Sequence, residues 1–360
     1  MYMTHEPRRD RTTRPPSDRG EVTALAASAR RARSVRTLLL AGAAAIVLLL
    51  MPFVLAAYPL VILSHMLVLA IACLALNLVF GTGGMLSLGH ATYFGAAAYS
   101  GAFLYRFTWV ESFELYLLCG IISSTVFAAA IGFLCVRTSR IFFSILTLAF
   151  SMVVYSLVIN GAVFRLFGPL GWSLYLLGEG SMYVPRLTVL GRAIVASEFI
   201  AVFYNIIVIA FLASVLVLWR IDRSPFGKTL KAIRDNETRA AFIGVPVWQI
   251  RWSAFILSGI FMGLAGGLYG QLARQITPEQ LHWMFSAQLV AATVLGGTRH
   301  FLGPVLGAFA FVALDEFTAG WTVGRNLMFG LLLIAVIFAA PRGVAGGLSV
   351  LMDTLRTHRR

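Results

Sequence analysis

Hydrophobic residues in this chain fall into long unbroken blocks rather than the one-in-three pattern of a soluble helix. Crossing a bilayer as helix takes about 20 apolar residues. Blocks of that order lie near 37–58, 60–80, 85–105, 115–135, 141–163, 199–219, 252–273 and 326–341, with two shorter ones near 284–297 and 303–319. The pattern predicts an all-α fold: a polytopic transmembrane helical bundle of about 8–10 membrane-spanning helices, the short blocks allowing broken or re-entrant segments. A membrane barrel would instead alternate apolar and polar residues over short segments.

Between the blocks, polar residues gather in a few places. The first 36 residues hold nine Arg, four acids and Pro15-Pro16, which reads as a disordered basic tail. It is too long and polar for a signal-peptide leader, and the block after it is long enough to be retained as a first helix. Residues 164–198 and 220–251 are the two long segments between blocks, and 346–360 form a C-terminal tail.

Composition agrees with the pattern. Charged residues make up 12% of the chain, about half the share in a soluble domain, and mean hydropathy is +0.83. The net charge of +14 would suggest nucleic acid only if the basic residues shared a folded surface; they sit in tails and one loop, so a nucleic-acid partner is not expected. With ten crossings and the N-terminus inside, the tails, Arg137, Arg140, Arg299 and the 220–251 loop place 23 of the 29 Lys and Arg in the cytoplasm. The positive-inside bias therefore predicts a multi-pass protein with both termini and the 220–251 loop cytoplasmic and 164–198 external. Cys73, Cys119 and Cys135 lie inside apolar blocks with no metal-ligand spacing, and are read as small core residues.

The stretch FGTGGMLSLGHATYFGAAAY, residues 80–99, departs from the apolar rule. Gly81, Gly83 and Gly84 free the backbone from helical geometry. Within a membrane such a break is tolerated only under a cover of protein or beside a water-filled path, and transporters place broken helices at the solute path. Asn77, one turn earlier, and Ser87 and His90, three apart and so expected on one helix face, join these glycines as candidate path residues. For His90 three readings stand: a hydrogen-bonded brace, a path lining, or a proton relay. A lone histidine without a second titratable group favours the brace. LGGTRHFLGPVLG, 295–307, echoes this element and suggests a second break in the other half. Asp315 and Glu316 point about 100° apart on a helix and read as a solvated helix end rather than an acid–base pair.

In the 220–251 loop, Ser224 and Pro225 form an N-cap and first-turn signal for one short helix, with Phe226, Leu230 and Ile233 near one face. A second short helix begins near Asn236 and ends at Gly244, before Pro246. FGKT is not a phosphate loop, because Asp222 occupies the place of the first glycine and no strand precedes it.

Several of these stretches together resemble the branched-chain amino acid permeases of ABC importers, in particular the second, longer permease of the pair. They are SLGHATYFGAAAY (87–99), RIFFSILTLAFS (140–151), SPFGKTLKAIRDNETRAAFIGV (224–245), VLGGTRHFLGPVLGA (294–308) and APRGVAGGL (340–348). Glu237, Ala240, Ala241 and Gly244 match in relaxed form the Glu, Ala-Ala and Gly signature of the loop that contacts the ATPase. The resemblance implies a permease domain over 37–345, with Ser224, Pro225, Phe226, Gly227, Glu237, Ala240, Ala241 and Gly244 as the coupling loop. It implies no chemistry and no cofactor on this chain, with ATP bound by partner subunits. The implied partners are a second permease, two ABC ATPases, an extracytoplasmic solute-binding protein and the lipid of a bacterial plasma (inner) membrane. One departure bears on the solute. Where such permeases carry TGG…GL after the fifth helix, this chain reads FRLFGPLGWSLYL, which leaves urea and short amides beside branched-chain amino acids. A membrane enzyme is disfavoured by the lack of H-E-x-x-H, G-x-S-x-G or clustered acids, and an ion-coupled carrier or channel by the lack of mid-membrane acids.

Overall fold

A computed structural model describes residues 42–320 and 325–339, except 110, 139, 166–180, 190, 193, 196 and 197, together with Gly343 and Gly346. The basic tail, most of FRLFGPLGWSLYL, most of APRGVAGGL and most of the C-terminal tail lie outside these residues. The chain divides into two units at Phe53. In the first, α1 covers 42–50 and closes in a 3₁₀ turn at Met51–Phe53.

The second unit is a helical bundle. Its elements are α2 (Ala57–Asn77), α3 (His90–Thr108), α4 (Phe113–Cys135), α5 (Arg140–Ile159), the short α6 (Ala162–Arg165) and α7 (Phe199–Arg223). Two short helices follow, α8 (Pro225–Asp235) and α9 (Glu237–Phe242), then α10 (Val247–Ala273), α11 (Trp283–Gly296), α12 (Gly303–Ala319) and α13 (Arg325–Ala339). Among the described residues, five helices are long and apolar enough to cross a membrane alone: α2 with its extension to Thr82, α4, α5 from Ile141, α7 and α10. Of these, α2 and α10 are the inner pair, with 61% of their apolar windows buried against 22–33% for α4, α5 and α7. The outward apolar faces of the latter three suit lipid.

Small residues bring α10 and α4 together. Gly259 and Gly263 of α10 face Ala128 and Ser124 of α4, and the Ser124 hydroxyl donates to the Gly259 carbonyl at 2.7 Å. Such contacts supply the close van der Waals packing that holds helices together where both faces are apolar. A ring cluster of Tyr93, Phe143 and Phe255, with His90 among them, fills the space between α3, α5 and α10 edge to face.

One sequence expectation is corrected, and one left open is decided. The block at 85–105 does not form one helix: α3 begins only at His90, because Gly84, at φ +70°, takes the preceding segment out of helical geometry and Gly89 is still non-helical, although the segment is apolar enough to read as span. The block at 284–297 becomes α11, 14 residues long. At 1.5 Å per residue that is about 21 Å, less than the hydrocarbon thickness of about 30 Å. It pairs instead with α12 in a tight hairpin in which Gly296 lies directly on Gly303 and Gly307.

At one end of the bundle, the loop end, α7 meets α8 and α9. At the other, the far end, β1 (Met182–Tyr183) pairs antiparallel with β2 (Gln275–Ile276). Val184 N–H donates to the Arg274 carbonyl at 2.7 Å and Gln271 Nε2 to the Pro185 carbonyl at 3.0 Å. Thr188 N–H donates to the Glu111 carbonyl at 2.7 Å. The described part of 181–198 is thus fastened across the far ends of α4 and α10.

Candidate functional site: a broken helix, a basic corner and a far-end cavity

The broken helix comes first. After Asn77, α2 widens into a π-helical turn at Leu78–Thr82, a distortion frequent at functional sites. Gly84 then turns the chain at φ +70°, a conformation that favours glycine. Residues 85–89 run without helical hydrogen bonds of their own, and α5 supplies partners: Leu88 N–H donates to Thr147 Oγ1 at 3.3 Å, and the Ser144 hydroxyl donates to the Leu86 carbonyl at 2.6 Å. Irregular backbone is therefore covered by protein, as a low-dielectric setting demands.

His90 opens α3 and is fully buried. Its Nδ1 lies 2.9 Å from Ser87 Oγ and its Nε2 2.9 Å from Ser258 Oγ of α10. The Ser258 hydroxyl donates to the Ala75 carbonyl of α2 at 2.6 Å. Its one proton being used there, Ser258 Oγ must accept from His90 Nε2–H. Nδ1 is then the acceptor, and Ser87 donates to it while accepting from Gly89 N–H at 3.3 Å. Each proton of this hydrogen-bond chain has one acceptor, so the imidazole sits neutral and ties α2, α3 and α10 together. Ser87 precedes the helix, so the expectation of one helix face for Ser87 and His90 is corrected: a hydrogen bond across the start of α3 joins them.

Asn77 is buried, and among the described residues its Oδ1 finds no hydrogen-bond partner. It lies against Gly81, where any side chain would overlap it. A Cβ on Gly81 would also come within 2.6 Å of the Thr298 carbonyl. Residues 296–303 form the second glycine-rich turn, with Gly297 at φ +100°. The two breaks read from sequence therefore abut.

The basic corner is built as its sequence signals. Ser224 Oγ accepts from Gly227 N–H at 3.3 Å and Pro225 starts α8. Gly227 lets α8 fold back on the end of α7, since a Cβ there would strike the Asp222 carbonyl. Leu230 and Ile233 are buried and Phe226 half-buried. Asn236 caps α9 by accepting from Arg239 N–H at 2.8 Å. Gly244 ends the turn at φ +84°, with nothing within 4 Å of a would-be Cβ. Beyond the buried Ala240, α9 leaves Ala241, Phe242 and Ile243 exposed, the latter two at 87% and 75%.

Five side chains that make this corner, Arg251, Asp222, Lys231, Thr82 and Arg234, carry no signal in the local sequence pattern strong enough to single them out. Arg251 of α10, with only 6% of its side chain exposed, pairs through both terminal nitrogens with the two Glu237 oxygens at 2.7 Å. Asp222 accepts from Lys231 at 2.8 Å and from Thr82 Oγ1 at 3.2 Å. Arg234 Nη1 donates to the Gly81 carbonyl at 2.7 Å. These partners are 9 to 153 residues apart, and no local spacing announces them. The one available signal was a charged residue, Arg251, inside the rising apolar pattern of α10.

At the far end lies a cavity of about 300 Å³ between α2, α3, α10, α11 and α12. Its walls are apolar: Val61, Ile62, Leu69, Phe94, Phe285 and Val312. Its polar groups are Tyr58, His65, Tyr269, Asp315 and Glu316, with the Tyr58 hydroxyl donating to Glu316. Asp315 and Glu316 are exposed near a helix end, as read from sequence, and they also rim this cavity.

A model of the family described as branched-chain amino acid transport system / permease component matches residues 58–341. The chain belongs to this permease family. It is 26% identical over 291 residues to the high-affinity branched-chain amino acid transport system permease protein LivM of Salmonella typhimurium, covering 75% of this chain and 66% of that protein. To LivM of Escherichia coli it is 25% identical over 292 residues, with the same shares. The chain thus spans just under two thirds of the length of these curated relatives. An autoinducer 2 import system permease protein, LsrC of Yersinia pseudotuberculosis, is 30% identical over 151 residues, 38% of this chain and 42% of that one. No solved structure matches the chain. The permease match begins at the second residue of α2 and runs past α13, so the broken helix, the basic corner and the cavity all lie within it, while α1 precedes it. Membership and the apolar helices together make this a multi-pass membrane transport protein.

Proposed function

We propose that the chain is the permease subunit of an ABC importer, and that with a second permease it passes a branched-chain amino acid inward. Hydrolysis of ATP belongs to two ATPase subunits on other chains. A solute-binding protein delivers at the far end, which faces outward, while both termini and the basic corner face the cytoplasm of a bacterial inner membrane. The observation that carries the solute is the far-end cavity. Its apolar walls suit an aliphatic side chain, and Asp315 and Glu316 at its rim suit an ammonium group. About 300 Å³ is at the small end of the range for small-molecule sites. Urea and short amides can donate N–H groups to the carboxylates but bring neither the positive charge of an ammonium nor a branched aliphatic chain for the apolar walls, so they fit less well.

The remaining parts take roles in the same scheme. Asn77, Gly81, Gly83, Gly84, Ser87 and His90 stand on the inward half of the path. Among them the glycine backbone forms the gate and His90 braces it. The exposed Phe242 and Ile243 tip, framed by Glu237, Ala240, Ala241 and Gly244, is the face an ATPase grips. The test is ATP-driven uptake of labelled leucine into liposomes carrying the assembled transporter, with competitors. Isoleucine and valine compete while urea and acetamide do not. Uptake of acetamide or urea in preference to leucine overturns the assignment.

A further inference from the structure

We propose that Arg234 is the positioning residue through which the basic corner holds the broken end of α2, so that α8 and residues 78–84 move as one body. The inference rests on the reading of the chain as a driven permease and adds to it the element that receives the drive.

The ties are physical and local. A helix C-terminus has carbonyls without intrahelical partners and a partial negative charge that attracts cations. The broken end of α2 presents the Gly81 carbonyl, and Arg234 donates to it at 2.7 Å. A hydrogen bond from a charged donor is stronger than a neutral one. The stem of Arg234 lies across Gly84, so closely that any side chain at 84 would strike Cγ. Gly84 is thus required twice, by its φ of +70° and by this contact. Beside it, Leu230 of α8 is buried and reaches within 3.5 Å of a would-be Cβ on Gly83. The third tie is Asp222, which bonds both Lys231 of α8 and Thr82 of the π-helical turn.

The other short helix is held differently. Glu237 of α9 is bound to Arg251 of α10. Side-chain bonds thus attach the corner at two places: α9 to the inner helix α10 through Glu237 and Arg251, and α8, which also packs on α10, to the inner helix α2 just where α2 breaks. A push on the exposed face of α9 reaches the broken helix through α8 and Arg234, and the break gives α2 a joint at which to yield.

The experiment uses the assembled transporter in liposomes and reads solute imported per ATP hydrolysed. Arg234→Ala is expected to hydrolyse ATP within about twofold of the parent while importing about tenfold less solute per ATP; Arg234→Lys, which keeps a charged donor, restores part of the loss. Hydrogen exchange of amides 78–86 is read on the same samples and is expected to quicken about tenfold in Arg234→Ala, with 252–268 unchanged. The proposal is overturned by an unchanged import ratio in Arg234→Ala, by a parallel fall in hydrolysis and import, by an Arg234→Lys variant as uncoupled as Arg234→Ala, or by unchanged exchange at 78–86. Absence of ATP-driven uptake in the parent transporter would instead refute the permease reading, and the exchange measurement would still judge the Arg234 tie.

Discussion

Ser258 stands between His90 and Ala75, accepting from the imidazole at 2.9 Å and donating to the carbonyl at 2.6 Å. One hydroxyl thereby fastens the start of α3 and the end of α2 to α10. Both polar partners are fully buried, so deleting the hydroxyl strands two groups without water.

Ser258→Ala is expected to destabilise the protein by about 1–3 kcal/mol, the cost of leaving buried polar groups unpaired. His90→Gln, which retains one donor and one acceptor on a different geometry, should lower the melting temperature, and uptake should fall only as the folded fraction falls. Melting of the purified protein in detergent, compared with uptake per folded transporter, separates bracing from lining. A changed solute preference in His90→Gln at unchanged melting would assign His90 to the path.

Glu237 and Arg251 form the second such relationship. Removing one member of a fully buried pair costs about 3–5 kcal/mol, but Glu237 keeps 45% of its side chain in contact with solvent, which brings the expected cost of Glu237→Ala nearer 1–2 kcal/mol. Exchanging both, Glu237→Leu with Arg251→Met, should recover most of it, since no buried charge remains. Thermal melting of the single and double variants checks the order, and a double variant worse than Glu237→Ala would contradict it.

Gly244 tests backbone against bulk. The sequence pattern assigns the site to a turn that bulk would block, yet the space around it is open and the constraint is φ +84°. Gly244→Ala and Gly244→Leu should therefore impair ATP-driven uptake alike, each straining the turn by about 1–2 kcal/mol. Gly244→Asn, which adopts left-handed geometry more readily, should retain most activity at equal expression. Normal uptake by the Ala variant beside a dead Leu variant would show that size governs after all.

Much of the architecture is legible in the order of residues alone. Long apolar blocks announce helices because nothing else satisfies the backbone in lipid. Ser224-Pro225 and Gly244 announce the ends of α8 and α9 because capping is a local matter between a side chain and nearby N–H groups. The break after Asn77 is legible in its glycines. Its surroundings are not: Thr147 and Ser144 of α5, Thr298 of the second break and Arg234 of α8 are brought there by tertiary packing alone. The apolar pattern misplaces the start of α3 because residues 85–89 are apolar without being helical. The acids at 315 and 316 read as a plain helix end, since the partners that make them a cavity rim come from α2 and α10.

Orientation is open to a direct check. Single cysteines at Thr229 and Tyr183, in a chain otherwise free of cysteine, lie at opposite ends of the bundle. In intact cells an impermeant thiol reagent should label Tyr183→Cys and spare Thr229→Cys until the membrane is opened. The reverse pattern would invert the orientation.

The central claim is that the far-end cavity receives an amino acid by its ammonium group and aliphatic side chain. Its most direct test is the concentration dependence of leucine uptake by the reconstituted transporter carrying Asp315→Asn with Glu316→Gln, both close in size to the native residues. The account predicts that half-saturation rises at least about tenfold, the loss expected for charge-assisted hydrogen bonds, with ATP hydrolysis unaltered. Leucine uptake with unchanged half-saturation and rate would contradict it.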